Sequence, residues 1–178
     1  ISDTIHNPCF GNTLGSIGIG GFGGWGTYEF SIDSVIWNTT GIFNNLGASA
    51  YTTHVRDYRG CVVERLIEIR QPDTLVGNIL LAKPVSCFSD ADASLFADVT
   101  GGTAPYIYLW NDGLTQTNDT ASNLIAGNYS VLITDAHSCT NTANYLLVQP
   151  LPLVISGVDT ADISCFGETD GRIAIYME

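Results

Sequence analysis

The sequence predicts an all-β protein, a row of small β-sandwiches repeated head to tail, and three observations point there. Residues recur 78 positions apart: Cys9-Phe10, Cys87-Phe88 and Cys165-Phe166, then Tyr51 and Tyr129, Asp57 and Asp135, Cys61 and Cys139, Gln71-Pro72 and Gln149-Pro150. Self-similarity at one interval marks a repeat architecture. Within a unit, apolar residues alternate, as at Ile17 and Ile19 or Ile173 and Ile175, with the two-residue period of a half-buried strand. These runs are short and are separated by Gly, Pro, Asn and Asp, which supply the backbone angles of turns. The reading is one unit at 1–72, expected to lack part of its opening edge strand, a complete unit at 73–150, and the start of a third at 151–178. The last stretch is too short to bury a core alone, so it should lean on its neighbour or take strands from elsewhere.

In chain order, residues up to Phe10 read as loop, whereas the matching stretch of the second unit holds an apolar strand, Leu75 to Leu81. Gly15 to Ile19 is the next strand, aligned with Ala93 to Ala97 and Gly171 to Ile175. Gly18 to Gly23 formally spells G-x-G-x-x-G, but a dinucleotide fingerprint opens a helix, and Thr27 to Ser31 reads as a strand. Tyr106 to Trp110 places alternate aromatics on one face, and a mid-strand Trp110 belongs in the core. Asn111-Asp112-Gly113 turns the chain, Thr115 to Leu124 crosses back, and Asn123 to Tyr129 looks like the corner where a tyrosine closes an immunoglobulin-type sandwich. Tyr129 to Thr134 is a strand, Asp135 to Ser138 a turn, and a last strand ends at Gln149-Pro150, because proline cannot donate to a ladder.

Composition excludes several functions. Six basic against eighteen acidic residues give a formal net charge of −12, the opposite of what a phosphate backbone requires, so nucleic acid is not a partner. No apolar run is long enough for a membrane span, and the N-terminal stretch, with Asp3 and Pro8 and no basic segment, does not read as a signal peptide. His6, His54 and His137 have no histidine at the repeat-related positions, G-x-S-x-G and H-E-x-x-H are absent, and a Cys61–His54 nucleophile pair is disfavoured. The chain is expected not to be an enzyme. Cysteines at repeat-related positions, with no C-x-x-C spacing, point to disulfides among Cys9, Cys61, Cys87 and Cys139 and to an oxidising, extracytoplasmic setting.

Their pairing depends on strand count. With one strand between Trp110 and Tyr129, Cys87 and Cys139 lie at the same end of the unit, and Cys9–Cys61 and Cys87–Cys139 can form. With two, they lie at opposite ends, about 20 Å apart along a strand, beyond the roughly 7 Å that a disulfide bridges, and Cys9 reaches Cys139 of the following unit instead. Pairing within a unit is slightly preferred, and in that arrangement Cys165 has no within-unit partner.

Cys87-Phe88, Gly101-Gly102, Pro105-Tyr106, Tyr108, Trp110, Asn123-Leu124, Gly127-Asn128-Tyr129, Thr134-Asp135 and Cys139 together resemble the SprB-type repeat of gliding-bacterial surface adhesins. The resemblance covers most of the second unit. The first departs from it, with Trp25-Gly26-Thr27 in place of Thr103-Ala104-Pro105, Ile32 in place of Trp110 and Ser49 in place of Gly127. It implies tandem immunoglobulin-like or PKD-like modules in a long, secreted protein of the bacterial cell surface, with neighbouring repeats as partners, and it supplies no catalytic residue.

Four sets of residues remain as candidate sites. Asp90 and Asp92, and their counterparts Glu168 and Asp170, are acids in corresponding loops that could hold calcium or simply form turns; Asn12 and Leu14 in the first unit exclude a site common to all units, and no other cofactor is expected. Five Asp-Ser/Thr-aliphatic triplets are similar to the O-glycosylation signal of the bacterial group the resemblance implies, and mark Thr4, Ser34, Thr74, Thr120 and Thr160; the N-x-S/T sequons at Asn38, Asn118 and Asn128 rank lower. Trp25, Trp37 and Tyr58 fall outside the shared core pattern and are the aromatics available to a surface polysaccharide. The function expected is a non-catalytic stalk or adhesin module. The alternatives are a filament in which 151–178 donates strands to a neighbouring chain, and a carbohydrate-binding module.

Overall fold

The computed structural model describes residues 2–177, and among these every regular element is a strand. β1 (Ser2–Ile5), β2 (Gly15–Ile19) and β4 (Ile42–Leu46) form one sheet in the order β1-β2-β4; β3 (Tyr28–Ser31), β5 (Ser49–Asp57) and β6 (Val62–Ile69) form the sheet that faces it, in the order β3-β5-β6. The same plan follows with β7 (Val76–Lys83), β8 (Ala93–Thr100) and β10 (Thr120–Leu124) in one sheet and β9 (Ile107–Trp110), β11 (Gly127–Thr134) and β12 (Thr140–Leu147) in the other. Among the described residues, β13 (Ile155–Ala161) and β14 (Arg172–Met177) pair only with each other. All ladders are antiparallel. The architecture is that of immunoglobulin-like β-sandwich repeats.

The opening edge strand read as loop is present as β1, four residues paired with β2 over Ser2 to Ile5, half the length of β7. Its backbone pairs along its whole length, while Asp3 and Ile5 are exposed and Thr4 is half-buried.

The two sandwiches are unequally filled. The second buries Leu75, Ile79, Leu95, Trp110, Leu124, Tyr129, Val131, Ile133 and Leu147 in one cluster, with alanines at 93, 97, 121 and 143 letting the sheets approach. The first buries Ile17, Ile67 and Ile69, with Ile19, Leu46 and Tyr51 packed around them. Sequence differences at equivalent positions explain this. Ile32 stands where Trp110 stands, and Thr53 replaces Val131 and spends its hydroxyl on the Arg65 carbonyl (2.8 Å). Beside this thin core an open cleft of about 410 Å³ is lined by Ile19, Phe22, Thr53, Val55, Val63 and Ile67, among others.

Both tyrosine corners form. The Tyr129 hydroxyl donates to the Ile125 carbonyl (2.8 Å) and Tyr51 to Gly47 (3.1 Å). Trp110 is 1% exposed and its indole N–H donates to the Asn118 carbonyl (2.9 Å), so it is core and not a ligand platform. Asn111 to Asp119 runs back alongside it without becoming a strand, held by Trp110 N–H to Gln116 O (3.0 Å) and Ala97 N–H to Asp119 O (2.8 Å).

Candidate functional site

That returning segment decides where the cysteines lie. β7 and β10 are both antiparallel to β8 and so end together. The loop after β7, which carries Cys87, is therefore at the same end as the β10–β11 corner. β11 then runs the length of the sandwich, so the turn carrying Cys139 sits at the other end, some eight residues or roughly 25 Å away. The preference for pairing within a unit is thus corrected. Only one strand intervenes between Trp110 and Tyr129, but Asn111 to Asp119 supplies a second stroke, and parity goes with strokes.

Cys9, at the far end of the first sandwich, is bonded to Cys139, at the near end of the second, with Cα atoms 5.8 Å apart and a separation of 130 in sequence. Cys61, Cys87 and Cys165 are free and exposed.

Each half of this junction is built by short polar contacts. On the first sandwich, buried Asn7 accepts Leu14 N–H (2.6 Å) and Gly15 N–H (2.8 Å) on its side-chain oxygen, donates its side-chain amide to Leu46 O (3.0 Å), and donates its backbone N–H to Arg70 O (2.9 Å). Gln71 accepts Gly11 N–H (2.8 Å). The Cys9 loop is thereby tied to the last strand of its own sandwich. On the second, the buried Asp135 carboxylate accepts Cys139 N–H (2.9 Å), Thr103 N–H (2.9 Å) and His137 N–H (2.9 Å), while Asp135 N–H donates to Cys139 O (2.9 Å). Burial alone would raise the Asp135 pKa; the N–H donors of Cys139, Thr103 and His137 outweigh it and hold the value below the ordinary aspartate range. The cysteine thus comes on a preformed turn.

The turn before Cys61 is built alike. Asp57 accepts Cys61 N–H (2.9 Å), Arg59 N–H (2.9 Å) and Trp25 N–H (3.1 Å). The Cys61 amide is the main cause of its lowered pKa; burial opposes it, and the Trp25 and Arg59 amides add to the lowering. The loop around Cys87 likewise repeats that around Cys9, since Gln149 accepts Ser89 N–H (2.9 Å) as Gln71 accepts Gly11 N–H. Recurrence at 78 had flagged Asp57, Asp135, Gln71 and Gln149. It gave no sign of Asn7, whose counterpart is Val85.

The other candidate residues do not converge on the junction. Asp92 is engaged inside its own loop by Lys83 Nζ (2.8 Å), Ser86 Oγ (2.5 Å) and Ser86 N–H (3.0 Å), and these hold its pKa far below the ordinary value. Asp170 accepts Ser164 N–H (3.0 Å). Among the described residues no three His, Cys, Asp or Glu side chains gather as a metal site; Asp90 and Glu168 contribute backbone N–H groups to their turns, donating to Cys87 O (3.1 Å) and Cys165 O (3.1 Å). Ser34, Thr74 and Thr160 are exposed, while Thr4 and Thr120 are half-buried. Trp25 and Tyr58 are adjacent, with Tyr58 N–H donating to Trp25 O (3.2 Å), but the Arg59 guanidinium covers the Trp25 ring at 3.8 Å. Trp37 lies elsewhere, under Arg56 at 4.2 Å and edge-on to buried His54. The three do not form one open aromatic face. His54 itself faces Glu64 (3.3 Å).

Residues 82–115 match the SprB repeat. The matched segment includes the Cys87 loop, β8, β9 and Trp110, and the rest of the resemblance, from Asn123 to Cys139, lies beyond it. No curated protein matches the chain. Among solved structures, the chain is similar at 12% identity and a TM-score of 0.40 to the C-terminal 282-residue fragment of intimin in complex with the intimin-binding domain of its translocated receptor, covering 80% of this chain and 60% of that one. It is similar at 12% identity and a TM-score of 0.34 to the N-terminal eight Ig domains of Down syndrome cell adhesion molecule isoform 1.30.30, covering 76% of this chain and 21% of that one. The chain therefore spans about three fifths of the first and a fifth of the second.

Proposed function

We propose that this chain is a non-catalytic repeat segment of an extracellular, bacterial cell-surface adhesin, whose sandwiches, 1–72 and 73–150 with 151–178 opening a third, form an extended stalk. The observation that carries the reading is the Cys9–Cys139 bond, which ties one sandwich to the next end to end. A disulfide of this kind needs an oxidising compartment, and the SprB match points to a surface protein. Antibody against the chain is expected to label intact source cells, with Cys9 and Cys139 protected from alkylation. Labelling only after permeabilisation, with both thiols free, would overturn the proposal.

The O-glycan sites Thr4, Ser34, Thr74, Thr120 and Thr160 belong to the same proposal, three of them, Ser34, Thr74 and Thr160, at exposed positions. Intact mass of the protein from its source should exceed the sequence mass by a repeated glycan increment. An unmodified mass removes this part alone.

A second reading, a filament formed by strand donation, is favoured by one observation. β13–β14 is a lone two-stranded sheet with Ile155, Val158, Ile173 and Ile175 all more than half exposed, and such a ribbon is marginal without further strands. Cross-linking of 151–178 to a second copy supports it, and a strictly monomeric chain removes it.

A further inference from the structure

We propose that Cys87 and Cys61 are the two halves of further disulfides of the Cys9–Cys139 kind, each taking its partner from another repeat: Cys87 from a turn of the Asp-x-x-x-Cys form on the unit that follows, Cys61 from a Cys-Phe loop on the unit that precedes. The inference rests on the tandem-stalk reading and names the covalent partners within it.

The bonded pair in this molecule supplies the template. Cys9 and Cys139 differ from Cys87 and Cys61 by one repeat, forward and back, and both free thiols keep the surroundings of their bonded counterparts. Asn12 N–H donates to Cys9 O (3.3 Å) and Asp90 N–H to Cys87 O (3.1 Å); Asp135 N–H donates to Cys139 O (2.9 Å) and Asp57 N–H to Cys61 O (3.0 Å). With the glutamine and aspartate contacts already described, the loop and the turn exist in finished form before any partner arrives. They also face opposite ways. Cys61 ends the near side of the first sandwich and Cys87 the far side of the second, so the chain presents both members of a head-to-tail contact, the type that extends without closing.

The place for the incoming turn is formed as well. Ser86, Cys87, Phe88, Pro150, Leu151, Pro152 and Leu153 line an open cleft of about 450 Å³. One repeat earlier, the residues at these positions are Pro8, Cys9, Phe10 and Pro72 to Leu75, the ground on which Cys139 stands, its sulfur 3.5 Å from the Pro8 carbonyl. Exposed Phe88 and Leu153 give that cleft an apolar wall to cover.

Bond formation joins the two sulfurs. The two thiols lose two protons and two electrons to a disulfide oxidant, which leaves as two thiols.

The test extends the full chain past Glu178 with a copy of residues 101–150, which continues the third unit in register because Glu178 stands 78 places after Thr100. The extended chain is refolded in oxidised glutathione and mapped without reduction. The expected result is a linked peptide joining Cys87 to the added copy of Cys139, beside Cys9–Cys139, with Cys61 and Cys165 still open to maleimide. In Cys87→Ser the added cysteine should become alkylatable while Cys9–Cys139 persists, which shows that the rest has folded. Pairing of the added cysteine with Cys165, inside its own unit, or its remaining free beside an intact Cys9–Cys139 bond overturns the proposal. Neither outcome touches surface labelling, so failure here is separable from failure of the stalk reading.

Discussion

A single carboxylate, that of Asp135, shapes the turn that delivers Cys139 to the junction. Replacing it with alanine leaves three backbone N–H groups without their acceptor, and the loss should be about 2–4 kcal/mol in urea unfolding. The pH dependence has a definite sign. A carboxylate with a depressed native pKa gives the unfolded chain the greater appetite for protons, so its contribution is complete above the unfolded aspartate value near 4 and is lost as pH falls through the lower native value. Asp135→Asn should accordingly flatten the fall in stability below about pH 4, and an unchanged slope would show that other carboxylates carry it. Trp110 makes the complementary case for the core: Trp110→Ala should cost about 3–5 kcal/mol, whereas Trp110→Phe keeps much of the volume and mainly leaves Asn118 O without its donor. Trp110 and Tyr129 were legible in the sequence because a large aromatic in mid-strand or after a Gly-Asn corner has few other uses. Asn7 was not, because its four hydrogen bonds go to backbone groups scattered from Leu14 to Arg70 and leave no periodic trace.

Among the elements, the two sandwiches share a plan and differ in filling, and that difference should appear as unequal protection. Amides of β8 and β11 are expected to exchange more slowly than those of β2 and β5, since opening the second sandwich exposes Trp110 and its neighbours while opening the first exposes a few isoleucines. Equal protection would mean that the junction, not the core, sets local stability. Turns differ in the same way. Gly101 and Gly23 both have positive φ, but a Cβ on Gly101 would lie 1.9 Å from the Thr74 carbonyl oxygen, and one on Gly23 would meet nothing within 4 Å. Gly23→Ala should therefore cost about 1–2 kcal/mol for the backbone conformation alone, and Gly101→Ala distinctly more, by thermal melting. Strand positions were readable from alternation and from recurrence at 78, as β2, β8 and β14 illustrate. The stretch Asn111 to Asp119 was not readable as a stroke across the sandwich, because it has neither alternation nor a ladder. That one segment reversed the expected cysteine pairing.

For the molecule as a whole, the Cys9–Cys139 bond sets how far the chain can extend. Under tension applied at its two ends, load crosses from residue 9 to residue 139 through sulfur, so opening either sandwich adds to the tether only the strands outside that ring, β1 and β12. Reduction places the whole sequence separation of 130 in series, and single-molecule pulling should then release roughly 440 Å of additional contour; the same release without reductant would show that the bond is not intact. The enclosed segment also contains Arg56, Arg59, Arg65, Arg70 and Lys83, five of the six basic residues in the chain. Trypsin can therefore nick the exposed turn at Arg59, or at Arg56, Arg65 or Arg70, though not at Lys83, which Pro84 follows, and after one such cut the fragments remain one covalent body, running as a single band until thiol is added and as two afterwards. Only a cut beyond the ring, at Arg172, frees a piece outright, so a surface protein built this way can be bitten by a protease and still hold on.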